Sequence, residues 1–308
     1  MYQYHIAPMM GWTDRHFRYF MRLLGGDAFL MFSEMVTSNA IVFGDAHQYL
    51  EMAPDEGVCI LQLGGSDIPS IQKAIQIAEK YPYSGYNLNV GCPSDRVQNA
   101  KIGACLMAEG VLVRDVLKAM MDSTDKPVSI KTRVGIDGVD SYEYFKQFVD
   151  EVLPSGCQSW IVHARDAWLK GLSPKQNRSI PPLRYEYVYQ LKKDYPHLDI
   201  AINGGFVDKE SIKEALLHVD AVMLGRAAYQ NPRLIHALGN SQLSYIEALK
   251  AYANYMRATD VRSILRLAQP LVVSLTGYHG AKQDRAKLAQ ARTKDAMLKA
   301  LDEIELLK

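Results

Sequence analysis

Six of seven short segments of the 308-residue chain, each where an apolar run ends, carry a polar or reactive residue where a buried strand would otherwise stay apolar. The seven are HIAPMMGWTDRHF (5–17), LQLGGSD (61–67), NLNVGCPSDRVQN (87–99), SIKTRVGID (129–137), VHARDAW (162–168), INGG (202–205) and LGRAA (224–228). Lys131 stands at a strand end that should otherwise be buried, so its ammonium needs an anionic partner, either a bound anion or a structural carboxylate. Gly204, Gly205 and Gly225 let backbone N–H groups approach a ligand. Arg226 adds a charged fork at a helix start, where anions are favoured. His163 can donate to the same ligand or be a satisfied core histidine. Gln62 can recognise an amide edge or tie loop backbone. Of the four cysteines, Cys92 sits between Gly91 and Pro93 in a turn. Cys59, Cys105 and Cys157 lie in or beside regular elements, where a thiol acts as a small hydrophobe. Cys92 is therefore the candidate reactive thiol.

The elements that would hold these residues follow from the apolar runs. Strands are predicted at Tyr4–Ala7, Ala28–Glu34, Val58–Leu63, Tyr86–Val90, Val128–Thr132, Ser159–His163, Ile200–Asn203 and Ala221–Leu224. Most are continuously apolar, as buried parallel strands are. Helical spacing fills Pro69–Lys80, Val111–Ser123, Ser141–Val152 and Asp208–Leu217. Eight strand–helix units over about 225 residues predict an α/β fold, a (β/α)₈ TIM barrel, whose active site lies at the carboxyl ends of the strands. A doubly wound sheet is less consistent with eight regular units and no GxGxxG. After Pro232 the pattern becomes purely helical. Ser244 and Glu247 form a capping box, Pro270 should kink or interrupt a helix over Val261–Leu275, and Met297, Leu301 and Ile304 make one apolar face. The division expected is a catalytic barrel over 1–238 and a small helical domain over 239–308.

Net charge is +1, but it is unevenly placed. Residues 241–308 hold 11 Lys and Arg against 7 Asp and Glu, and the first 240 hold 24 against 27. A C-terminal excess of four positive charges is compatible with nucleic-acid contact and also with solvated helix faces. No run approaches eighteen apolar residues, there is no basic-then-apolar leader, and the cysteines show no metal-ligand cadence. The expectations are no membrane span, no metal site and a cytoplasmic location with reduced thiols.

Four stretches carry a resemblance. His5–Phe17, YNLNVGCPSDRVQNAKIGACLM (86–107), VHARDAWLKGLSPKQNRSIPPLRY (162–185), and Ala201–Gly205 with VMLGRAAYQNP (222–232) resemble tRNA-dihydrouridine synthases, nearest to the A-type bacterial branch acting at D-loop positions 20 and 20a. The resemblance covers about residues 4–235. It implies an FMN-containing barrel with a helical C-terminal domain that reduces tRNA uridine with NADPH. By motif, Pro8, Met9 and Met10 border the flavin, and Gln62, Lys131 and His163 hold its ring system. Asn203, Gly204, Gly205, Gly225 and Arg226 hold its phosphate end. Cys92 is the proton donor, and Asn89 matches a residue that helps position the uracil. Asn99, Lys175 and Arg178 match RNA contacts on long loops, and Arg285 matches one in the helical segment.

That chemistry suits the residue types. Hydride delivered to uracil C6 leaves negative charge to be quenched at C5, and an ordinary thiol, titrating near 8.5, is mostly protonated at neutral pH. A lysine beside the flavin would stabilise an anionic reduced ring. The target uridine must leave its stack, which single-stranded loops make easier. The stretch from Arg165 to Arg184 is too long for an idle connection, and Arg165, Lys170, Lys175, Arg178 and Arg184 could track a phosphate backbone. Two other readings remain open from sequence. One is a flavin barrel oxidoreductase acting on a free small molecule, of the dihydropyrimidine or dihydroorotate dehydrogenase type. The other is a non-enzymatic RNA-binding barrel.

Overall fold

The computed structural model describes residues 2–94, 101–139, 141–261 and 263–308. Nine parallel strands are present among the described residues: β1 (Tyr4–Ile6), β2 (Phe29–Phe32), β3 (Val36–Thr37), β4 (Cys59–Gly64), β5 (Gly85–Val90), β6 (Val128–Arg133), β7 (Ser159–His163), β8 (Asp199–Asn203) and β9 (Ala221–Leu224). Consecutive strands pair from β3 to β9, β1 pairs with β2 and β9, and β2 pairs with β4, so eight of them close into a barrel. The two-residue β3 adds only to the end of β4, through Val36 opposite Leu63 and Thr37 opposite Gly64. This is the (β/α)₈ barrel expected.

Closure follows from the strand sequences. Both faces of each strand are covered, which is why the runs are apolar without alternation. Outward residues such as Leu61, Leu88, Ile130, Trp160 and Ile202 join one large core with the surrounding helices. Inward residues, including Phe32, Ile60, Ile161, Ala201 and Met223, form a separate small cluster inside the barrel. The helices start where capping residues stand. Asp14 caps Arg15–Gly25, Asp67 caps Ile68–Ala78, Ser141 caps Tyr142–Val152 and Asp208 caps Lys209–Ala215.

No strand follows Leu224 among the described residues. The helix Tyr245–Ala258 opens on the expected Ser244–Glu247 capping box, and Met297, Leu301 and Ile304 are all buried. The next helix, Ile264–Ser274, begins three residues later than expected and continues through Pro270 without interruption. Proline removes one amide donor, and this helix tolerates that loss with Pro270 buried. These C-terminal helices dock on Arg15–Gly25. Phe20 meets Tyr252 edge-on at 4.9 Å, and His16 Nδ1 shares a 2.7 Å hydrogen bond with the Tyr255 hydroxyl. Arg266 reaches back to Glu34 at 3.1 Å and Asp14 at 3.6 Å. No helix is long and apolar enough to cross a membrane among the described residues.

Candidate active site

Period-two alternation decides which strand residues enter the barrel. Two positions beyond the inward apolar layer, the same face turns polar. Gln62 follows Ile60, His163 follows Ile161, and Asn203 follows Ala201. In register with them stand Asn87 opposite Gln62, Asn89 opposite Lys131, and Arg133 opposite His163. The carboxyl end of the barrel is thus lined by amides, an imidazole and two cations.

The amides form one chain of hydrogen bonds. Asn87 donates to Ser129 Oγ at 2.9 Å, and Gln62 donates to Asn87 at 2.7 Å. Asn89 donates to Gln62 Oε1 at 2.8 Å, while its own oxygen accepts from the amides of Gly91 and Cys92 at 3.1 and 3.0 Å. Gln62 and Asn89 are therefore fixed by protein partners, and Asn89 shapes the turn that presents Cys92. That thiol is partly exposed, whereas Cys59 and Cys157 are buried. Burial pushes Cys59 up to about 12 and Cys157 up to about 11. Cys105 is partly exposed in a short 3₁₀ helix (Gly103–Ala108), its thiol also raised mainly by burial.

Lys131 makes no ion pair with a carboxylate among the described residues. Its ammonium donates to Asn203 Oδ1 at 3.2 Å, and burial followed by the neighbouring Arg133 lowers it to about 7. That arrangement leaves room for a bound anion beside the ammonium. Burial, then Arg133, Lys131, Arg165 and Arg178, hold His163 well below its usual value, so the imidazole is neutral. Asn203 completes its bonding by donating to the Met223 carbonyl at 2.8 Å.

The glycines beyond Asn203 are required there. Gly204 has φ +120°, and a Cβ on it would stand 2.9 Å from the His163 ring. The Tyr185 hydroxyl donates to the Gly204 carbonyl. Gly225 is open, with Ala7 and the Met9 sulfur nearest at ordinary contact distance, and Arg226 begins the next short helix. Arg226 donates to the Arg178 carbonyl at 2.9 Å. Its charge lowers the pKa of buried Arg165, second only to burial, and Arg165 Nε has no hydrogen-bond partner among the described residues. Several guanidiniums and an ammonium converge here beside a glycine cradle and an orphaned donor. That donor set fits an anionic, phosphate-bearing flavin such as FMN.

Other expected site residues fall less uniformly. Pro8 and Met9 lie on the loop after β1, next to Gly225, but Met10 is 66% exposed. Met10 lines a different cavity of about 780 Å³, together with Asp14, Glu34, Tyr49, Val261 and Arg266, whose walls include neither Cys92 nor Lys131. Lys170, Lys175 and Arg178 are exposed on the loop after β7. Arg165, expected to track phosphates with them, is instead buried and donates to the Pro181 carbonyl. Arg184 lies over the Tyr187 ring at 6.0 Å, and Arg285 donates to the Leu275 carbonyl at 2.8 Å, closing a helix end. Asn99 lies outside the described residues. No cluster of three or more His, Cys, Asp or Glu able to hold a metal occurs among the described residues.

Residues 5–299 match the profile of the Dihydrouridine synthase (Dus) family. The chain belongs to that family. The match extends through the helical segment, beyond the stretch whose motifs carry the resemblance. The tRNA-dihydrouridine(20/20a) synthase of Yersinia pestis is 53% identical over 299 residues, covering 94% of this chain and 86% of its own length. Those of Shewanella oneidensis (53% over 232 residues; 75% and 69% covered) and Synechocystis sp. (54% over 229 residues; 74% and 68%) are equally similar. Two features of the site were not singled out from sequence: Arg133, and the amide chain through Asn87 and Ser129. Both would have followed from stepping two residues along the strand from Lys131 and from Asn89.

Proposed function

We propose that this chain reduces uridine to dihydrouridine at D-loop positions 20 and 20a of tRNA in the cytoplasm, with FMN as cofactor and NADPH as reductant. The observation that carries the reading is a thiol held, by the Asn89 turn, at the mouth of a pocket that Lys131 and Arg133 make cationic. Lys131, His163, Asn203, Arg226 and the backbone of Gly204, Gly205 and Gly225 would hold the flavin, with Gln62 and the Pro8–Met9 turn at its edges. Reduced FMN bound there supplies the hydride for uracil C6. The remaining requirement is a proton for C5, and Cys92 carries it on a partly exposed thiol in the turn after β5. Asn89 fixes the Cys92 turn through two backbone amides. Neutral His163 donates one hydrogen bond without adding charge, leaving Lys131 to balance negative charge near the ring. Lys175 and Arg178 contact tRNA phosphates from the loop after β7, and Asn99, Arg184 and Arg285 are further RNA contacts. The helical segment 239–308 binds the body of the tRNA.

The experiment is reduction of unmodified tRNA by the purified protein with NADPH, followed by mapping of dihydrouridine along the D-loop. Dihydrouridine at 20 and 20a supports the proposal. Reoxidation of the reduced enzyme by free uridine or another small pyrimidine, with tRNA left unmodified, overturns it.

A further inference from the structure

Arg133 is 3% exposed, faces into the barrel mouth directly opposite His163, and has no carboxylate hydrogen-bond partner among the described residues. Its guanidinium is spent on backbone carbonyls from two separate segments. Nε donates to Gly91 O at 3.1 Å, in the turn that carries Cys92. Nη1 donates to Asp166 O at 3.2 Å, near the start of the loop after β7, and to Asn177 O at 3.0 Å, between Lys175 and Arg178 on the same loop. That loop is closed on itself by Asn177, whose buried amide accepts from Trp168 N at 2.8 Å and donates to Trp168 O at 2.9 Å. Movement of the loop is therefore transmitted to one rigid planar fork, and the fork's other edge holds the Cys92 turn.

The charge of Asp166 favours the Arg133 guanidinium from nearby, but its printed hydrogen bonds go to carbonyls, which offset the burial of a guanidinium only in part. A neutral side chain would fill the volume more cheaply. What an arginine alone provides is several donors fixed in one plane, so that segments too far apart to touch keep one distance. We infer that Arg133 is a positioning residue, coupling the RNA-contacting loop to the Cys92 turn so that the thiol is aimed when tRNA is seated. The inference rests on the proposed roles of Cys92 as proton donor and of Lys175 and Arg178 as tRNA contacts.

The test separates geometry from charge. Arg133→Lys keeps the positive charge but cannot bridge Gly91 to both loop carbonyls at once. The measurement is anaerobic single-turnover reoxidation of NADPH-reduced enzyme by saturating unmodified tRNA, per bound flavin, in wild type, Arg133→Lys, Cys92→Ala and the double variant. A thiol displaced by about 1 Å should lower the saturating rate of Arg133→Lys by about 10- to 100-fold. In the Cys92→Ala background the same substitution should cost less than about threefold, because no thiol is left to aim. If Arg133→Lys does not fold, as judged by circular dichroism and flavin content, Arg133→Gln is carried through the same cycle. A wild-type rate in the Arg133 variant, with Cys92→Ala slow, overturns this inference alone. Equal factors in both backgrounds overturn it as well, by placing the effect of Arg133 elsewhere. A wild-type rate in Cys92→Ala overturns the proton-donor reading and this inference with it.

Discussion

Replacing Lys131 by Met should make the flavin-free protein more stable while disabling it. Lys131 is half-buried beside Arg133, His163 and Asn203, and desolvation of its ammonium lowers its pKa from 10.5 to about 7. At about 1.4 kcal/mol per pH unit, that gap sets a ceiling of about 5 kcal/mol on the cost of keeping Lys131 charged in the folded state. Relaxation and partial solvent access reduce the cost, and loss of the Lys131 bond leaves Asn203 Oδ1 short of a donor, at about 1 kcal/mol. The net expectation is a gain of about 1–3 kcal/mol for Lys131→Met near pH 6.5, in the range seen when buried charges are replaced by apolar groups. The sign with pH is fixed. The folded pKa lies below the unfolded one, so between about 7 and 10.5 the unfolded chain binds the extra proton. Wild-type stability then gains up to about 1.4 kcal/mol per pH unit from this group. The advantage of Met should shrink steadily from pH 6.5 to pH 9. Urea denaturation of both flavin-free proteins at pH 6.5, 8 and 9, followed by circular dichroism, measures the difference and cancels the other titrating groups. A Met variant less stable at pH 6.5, or a difference that does not change with pH, would refute the reasoning.

The phosphate end and the RNA surface give two further expectations. Arg226→Ala removes a charge-assisted contact worth about 1.5–3 kcal/mol, so FMN should bind about 10- to 150-fold more weakly and the protein should purify largely colourless; full flavin occupancy would remove Arg226 from the site. Lys175→Ala and Arg178→Ala should each weaken tRNA binding and flatten its dependence on log salt by about 0.7–0.9, measured by filter binding across salt concentrations; unchanged affinity and slope would make them ordinary surface charges.

The barrel was legible because its strands are buried on both faces. Val128–Thr132 and Ser159–His163 stand out as short apolar runs, and the structure reproduces them to within a residue. Ala28–Glu34 was read too long: Ser33 and Glu34 already belong to the loop, where Ser33 Oγ accepts from Gln62 N and Glu34 accepts from Gly11 N. The two-residue β3 left no signal, since two residues have no period. Lys131 and Cys92 were visible because each is chemically out of place in its segment. Arg133 was not, because a charged residue near a strand end resembles solvated surface until the register places it on the inner face. The same ambiguity hid the burial of Arg165. In a loop rich in cations, composition does not tell which guanidinium turns inward to a carbonyl and which stays in solvent.

The role of Cys92 is the most direct test of the whole account. Cys92→Ala should retain FMN, bind tRNA and accept electrons from NADPH, because none of those functions is assigned to the thiol. Reoxidation by unmodified tRNA should fall by about 10²–10⁴-fold, the usual contribution of a general acid, since the proton for C5 is missing. Substituting Cys59, Cys105 or Cys157 should leave that rate nearly unchanged. The measurement is anaerobic stopped-flow recovery of oxidised-flavin absorbance after mixing reduced enzyme with tRNA. A slow Cys92→Ala enzyme with normal flavin content is the predicted result, and reoxidation at the wild-type rate would contradict the assignment of the proton to Cys92.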